Sequence, residues 1–120
     1  MTIKDETVLD RFRAMPCEWC HRAGPSDPHH LWSKNGGRLD CTFAVASLCR
    51  WDHSRHHNGE RPNLDDLLDI VALREKTTRS VIIEAVMNLR SRDKSGVCVR
   101  PMELSRTARK LVNRAMKGKP

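Results

Sequence analysis

Apolar residues along this chain recur at helical spacing in four places and at strand spacing in two. Between residues 4 and 14, Val8, Leu9 and Phe12 fall on one side of a short helix, and Pro16 stops it before Cys17. Beyond Pro62, Asn63 can cap a helix that carries Leu64, Leu67, Leu68 and Val71 on one face. A further helix, from about Thr78 to Arg92, carries Ile82, Ile83, Val86 and Leu89, and Lys94-Ser95-Gly96 breaks it. Pro101 opens a last helix, with Leu104, Ala108, Leu111 and Ala115 opposed to Arg106, Arg109, Lys110, Arg114 and Lys117. In the stretch 17–59 the pattern is different. Turn chemistry runs to Pro28, His29-His30-Leu31-Trp32 reads as a strand, and Asn35-Gly36-Gly37 is a turn signal. Cys41–Ala46 reads as the returning strand, and a short helix over about 52–57 ends at Asn58-Gly59.

The order hairpin then helix, flanked by helices, gives an α+β class. A module of residues 1–62 is followed by a helical region, 63–120, packed on the same domain. So small a module buries little apolar surface, and with two Phe, three Trp and no Tyr its aromatic core is thin, so a staple is expected. No stretch is long and apolar enough to span a bilayer. The opening residues, MTIKDETVLDRF, are charged where a secretory leader would be apolar, which points to an intracellular, by default cytoplasmic, chain.

Charge adds a partner. The net charge is +7, but residues 90–120 hold ten Lys/Arg against two Asp/Glu, whereas residues 1–89 hold twelve against thirteen. Basicity confined to one quarter of the chain suits a polyanion, nucleic acid first, with a solvated tail as the plainer alternative. Arg106, Arg109, Lys110 and Arg114 are the candidate phosphate contacts.

Two groups of residues carry chemistry. Cys17-x-x-Cys20 and Cys49 supply three thiolates with knuckle spacing for a structural zinc. The fourth position, three residues after Cys49, is Asp52, which could equally cap the short helix; His53, His21 and Cys41 are alternatives, as are buried thiols without metal. The second group is His29, His30, His53, His56 and His57. His53 and His57 are four apart, so they share a helix face and can chelate one divalent ion. His29 and His30 are neighbours on a strand and point oppositely, so one can join that pair while the other acts on water. Imidazole suits Zn²⁺, Ni²⁺ and Mn²⁺ and titrates near neutrality.

The stretch PCEWCHRAGPSDPHHLWSKNGGRLDCTFAVASLCRWDHSRHHNG resembles the HNH (ββα-metal) endonucleases, above all small phage and prophage members with a Cys-x-x-Cys knuckle. The resemblance implies a zinc-stapled ββα-metal module and metal-dependent hydrolysis of phosphodiester bonds. DNA is the expected substrate, RNA is the other candidate, and no small molecule or membrane is involved. It makes His30 the general base. His29, His53 and His57 hold the catalytic cation (Mg²⁺, Mn²⁺, Ni²⁺ or Zn²⁺), and Cys17, Cys20, Cys49 and Asp52 hold the structural Zn²⁺. Products with 5′-phosphate and 3′-hydroxyl ends would follow. The chain departs from the family where a middle Asn should anchor the base: Ala44 stands there, and Asp40 or a backbone carbonyl would have to substitute. That departure leaves open a catalytically silent, zinc-stapled DNA-binding or phage packaging protein on the same fold.

Overall fold

A computed structural model describes residues 1–33, 35, 37–98 and 103–117, and among these the chain is α+β, with five helices and one two-stranded antiparallel sheet. Helix α1 (Glu6–Arg13) begins where Asp5 accepts a hydrogen bond from the Val8 amide and buries Leu9 and Phe12. Those two pack on Val45 in a small cluster of their own. Strand β1 (Asp27–His30) pairs with β2 (Val45–Leu48), Asp27 opposite Leu48 and His30 opposite Val45. Helix α2 (Arg50–His57) follows at once. Helices α3 (Leu64–Arg74), α4 (Arg79–Arg90) and α5 (Arg106–Met116) complete the chain.

The strands are not joined by the tight hairpin that the pattern suggests. β1 starts two residues early and ends at His30. Residues 42–44, expected in the returning strand, form a 3₁₀ turn instead, and β2 begins only at Val45. The reason is tertiary. Leu39 bridges to Ile3, and Cys41, Phe43 and Ala44 are buried, so the connection is drawn into the core rather than folded back on itself. All four β2 residues are buried, so this strand has no polar face for an alternation to reveal. Gly36 of the expected turn lies outside the described residues.

The helix ends follow their capping chemistry. Asn63 and Asp66 form a reciprocal capping box on α3, worth about 1 kcal/mol. Thr78 caps α4, which stops at Arg90 rather than Arg92. Ser105 caps α5, so that helix starts at Arg106 and leaves Leu104 outside it; Pro101 lies outside the described residues. α2 starts two residues earlier than expected with Cys49 as its N-cap, which puts Asp52 inside the first turn and not at the cap. Gly59, at φ +80°, supplies the left-handed stop. Leu64 and Ile83 stay substantially exposed although the helical pattern places them with the apolar residues.

One core cluster draws Phe43, Ala44 and Leu48 together with Leu67, Val71, Ile82, Leu89, Leu111 and Val112, so the C-terminal helices share the core of the sheet. Arg74 of α3 ties the two parts: it pairs with Glu18 at 2.7 Å and donates to the carbonyls of Val45, at 2.9 Å, and Thr42. No helix among the described residues is long and apolar enough to cross a membrane.

Candidate metal centres and the histidine cleft

α2 is an unusual helix because it has no apolar side. Its one buried residue is Asp52, and eight residues are too few for a helix to stand alone in water. What it turns towards the protein is a carboxylate and imidazoles, and these enter two clusters, one at each side.

The first cluster is Cys17, Cys20, Cys49 and Asp52, whose ligand atoms all lie within 4.8 Å of one another and could hold a metal ion. Cys20 Sγ and Cys49 Sγ are 3.7 Å apart, close to the edge of about 3.8 Å that two metal–sulfur bonds of about 2.3 Å subtend in a tetrahedron. Asp52 Oδ2 accepts from Cys17 Sγ at 3.2 Å and Cys49 Sγ at 3.3 Å, so the fourth position is a carboxylate oxygen already aimed at the sulfurs. Burial raises the Asp52 carboxyl, but hydrogen bonds from Cys20, Cys17 and Cys49 outweigh it and hold the group below the usual carboxylate range. The same carboxylate pushes the Cys20 thiol up to about 12. The alternatives fall away: His21 is exposed, His53 belongs to the other cluster, and Cys41 is buried beside Phe43 in a separate cavity.

The second cluster is His29, His53 and His57, which could also hold a metal ion. His29 Nδ1 lies 3.2 Å from His53 Nε2, and His57 Nε2 lies 3.0 Å from the same atom. Three ring nitrogens at such spacing offer one triangular face for a cation with bonds of about 2.0–2.1 Å. Burial, then the imidazoles of His56, His53, His57 and His30, lower His29 to about 3, and burial with His53 and His56 lowers His57. Both rings therefore present neutral nitrogen lone pairs, the form that ligates. Two residues missed at the level of roles support them. Asp27 Oδ2 stands 3.2 Å from His53 Nδ1, the ring edge away from the cluster. Its place could have been read from strand alternation, since Asp27 and His29 are two apart and share a face. His56 Nδ1 donates to the Pro62 carbonyl at 2.8 Å, which takes it out of the cluster.

His30 points away from His29, as neighbours on a strand must. Its Nε2 is 2.7 Å from Asp40 Oδ1, and Asp40 is wholly buried. Ala44 is buried and apolar and makes no such contact possible from its own position. Even so, His30 joins Pro28, His29, Trp32, Ser33, His53 and His57 in lining one open cleft of about 310 Å³. The structure thus brings His29, His30, His53 and His57 to one cleft and puts Cys17, Cys20, Cys49 and Asp52 in a separate centre.

The basic helix is more divided than its sequence suggests. Arg106, Arg109 and Lys110 are exposed, but Arg114 pairs with Glu75 and also reaches Thr42. No family model, curated protein or solved structure gives a match to this chain.

Proposed function

We propose that this protein is a metal-dependent endonuclease of the HNH (ββα-metal) type that hydrolyses phosphodiester bonds in nucleic acid, DNA first. The observation that carries the reading is the shared cleft: His30, held from behind by a carboxylate, and the cation-competent trio His29, His53 and His57 line the same open space of about 310 Å³. Its order in the chain, two antiparallel strands and then a helix bearing two of the ligands, agrees with that assignment.

In this reading His30 takes the proton of the attacking water. His29, His53 and His57 bind the catalytic cation, and Asp27 orients His53. A divalent ion held there supplies Lewis-acid stabilisation of the charge that builds on the phosphorane and the leaving oxygen. Cys17, Cys20, Cys49 and Asp52 hold zinc, which fixes α2 against the sheet. Arg106, Arg109, Lys110 and Arg114, the last also paired with Glu75, grip phosphates without reading sequence.

The test is incubation of supercoiled plasmid with the zinc-loaded protein and a panel of divalent ions. Wild type should nick the plasmid, and His30→Ala should be slower by about 10²–10⁴-fold with cation binding intact. Buried, apolar Ala44 favours a second reading, a catalytically silent nucleic-acid-binding module. Binding of DNA without cleavage under every ion would establish that one instead.

A further inference from the structure

Asp40 is the most heavily bonded side chain near the cleft, and nothing in the metal chemistry calls for it. Its carboxylate is fully buried. Oδ1 faces His30 Nε2 at 2.7 Å and Arg38 Nε at 2.9 Å. Oδ2 accepts from the Asp5 amide at 2.8 Å and from Arg38 Nε at 3.1 Å, and Arg38 Nη2 forms an ion pair with it at 2.8 Å. A guanidinium and a backbone amide can only donate, so they demand an acceptor on both oxygens. Resting on the endonuclease reading, we propose that Asp40, locked by Arg38, is a positioning residue that fixes the tautomer of His30 and makes Nδ1 the atom that takes the proton from water.

The argument is one of donor and acceptor counting. An ionised carboxylate accepts and cannot donate, so the ring nitrogen facing it must carry a hydrogen. In a neutral imidazole that leaves the other nitrogen, Nδ1, with the lone pair. Asp40 is not part of the histidine cleft; it lines a separate cavity with Ile3, Cys41 and Arg114. The Nε2 edge of His30 is therefore directed inward and the opposite edge remains for the cleft. Three donors also hold Asp40 ionised: burial raises its carboxyl, and bonds from Arg38, the Asp5 amide and His30 outweigh that and bring it below the usual range. The arrangement supplies what Ala44 cannot, from a residue ten positions after the histidine rather than fourteen.

Replacing the carboxylate by a carboxamide makes the idea testable. In Asp40→Asn the single oxygen is claimed by the Asp5 amide, which can only donate and meets only the Oδ2 position, and this turns the NH₂ group towards His30. Nε2 must then accept, Nδ1 keeps the hydrogen, and the base faces the cleft in the wrong form. The experiment reads the ¹⁵N shifts of His30 in zinc-loaded protein at a pH where the ring is neutral, alongside plasmid-cleavage kinetics. Wild type should show hydrogen on Nε2, and Asp40→Asn should move it to Nδ1, with kcat lower by on the order of 10³-fold and KM little changed. Arg38→Gln, which loosens the lock without removing the carboxylate, should keep hydrogen on Nε2 and lose about tenfold in kcat. Hydrogen on Nδ1 in wild type overturns the proposal without any variant, and so does an Asp40→Asn protein with unchanged tautomer and kcat. Should Asp40→Asn fail to fold, the wild-type spectrum and Arg38→Gln decide. A plasmid left intact by wild type, with the tautomers as expected, would remove the endonuclease reading and leave the tautomer assignment standing.

Discussion

The two clusters flank one eight-residue helix and differ in almost every property that matters to a metal. The sulfur cluster is the more enclosed: Cys17, Cys49 and Asp52 are buried, Cys20 alone is exposed, and four candidate donors lie within 4.8 Å of one another. The imidazole cluster is open: only His29 is buried, His57 is exposed, and three donors face a cleft. A full donor shell leaves a cation nothing to do but hold the chain, whereas three ligands beside open space leave positions for water and substrate. One short helix borders both clusters because its successive faces differ, Cys49 and Asp52 on one side and His53 and His57 on the other.

The largest expected effect comes from breaking the closed side. Cys49→Ala removes one of the four candidate ligands, the residue at the N-cap of α2. The apparent free energy of a structural zinc, about 10–16 kcal/mol in small fingers, is comparable with the whole stability of a domain. Cooperative melting of the module should disappear, whereas His57→Ala should melt close to wild type. Matching melting curves for Cys49→Ala and wild type would erase the distinction between the clusters.

A smaller effect, of several degrees in melting temperature, should follow from pH on the open side. His29 lies at about 3 in the fold against 6.5 for an ordinary imidazole. Between those values the unfolded chain binds more protons, so with the histidine cluster metal-free and the sulfur cluster left loaded, stability is whole above about pH 6.5 and falls as pH drops through the window. Asp40 and Asp52 lie below their ordinary 3.8, so their contributions are lost only lower down, as pH falls through that value and below it. Melting of wild type and His29→Gln across pH 7 to 4.5 checks this: the variant's curve should be flatter, and parallel curves would contradict a buried neutral ring.

The smallest effect should come from Asp27→Asn. Its carboxylate reaches His53 Nδ1 but is half exposed, so solvent weakens the contact. Cation affinity at the histidine cluster should fall about tenfold, the low end for a group supporting a ligand, with no change at the sulfur cluster. Calorimetric titration of each site separates the two, and a loss at both would mean that α2 itself has moved.

Much of the site was legible because ligand spacing is local. Cys17-x-x-Cys20, the step from Cys49 to Asp52 and the step from His53 to His57 each fix geometry within a turn or two of chain. Helix starts at Asn63 and Thr78 were readable for the same reason. The connection from Leu31 to Ala44 was not. Asn35-Gly36-Gly37 advertises a tight turn, yet burial of Phe43 and pairing of Leu39 with Ile3 decide where the chain goes, and both depend on distant residues. The bond between His30 and Asp40 lies across that same connection. Asp40 could be named as a candidate, but only the fold shows that it is buried and that Arg38 secures it. Arg114 teaches the converse: helical spacing puts it with the basic face, and only the fold shows that it also pairs with Glu75, 39 residues away.

The single short helix between the clusters also governs how inhibition by a chelator should be understood. A strong general chelator takes ions from imidazole and thiolate sites alike, and α2 has no apolar face to keep it in place afterwards. Lost activity in such an experiment would confound a missing reaction partner with a collapsed scaffold, and adding back one metal could restore either. Softness offers a way to separate them. Cadmium, which favours sulfur, should settle at Cys17, Cys20 and Cys49, while magnesium or manganese is left to compete for the cleft. Protein prepared with cadmium in the closed centre would then respond to the second ion through the cleft alone, and any cation that the proposed cleavage requires could be identified without disturbing the fold.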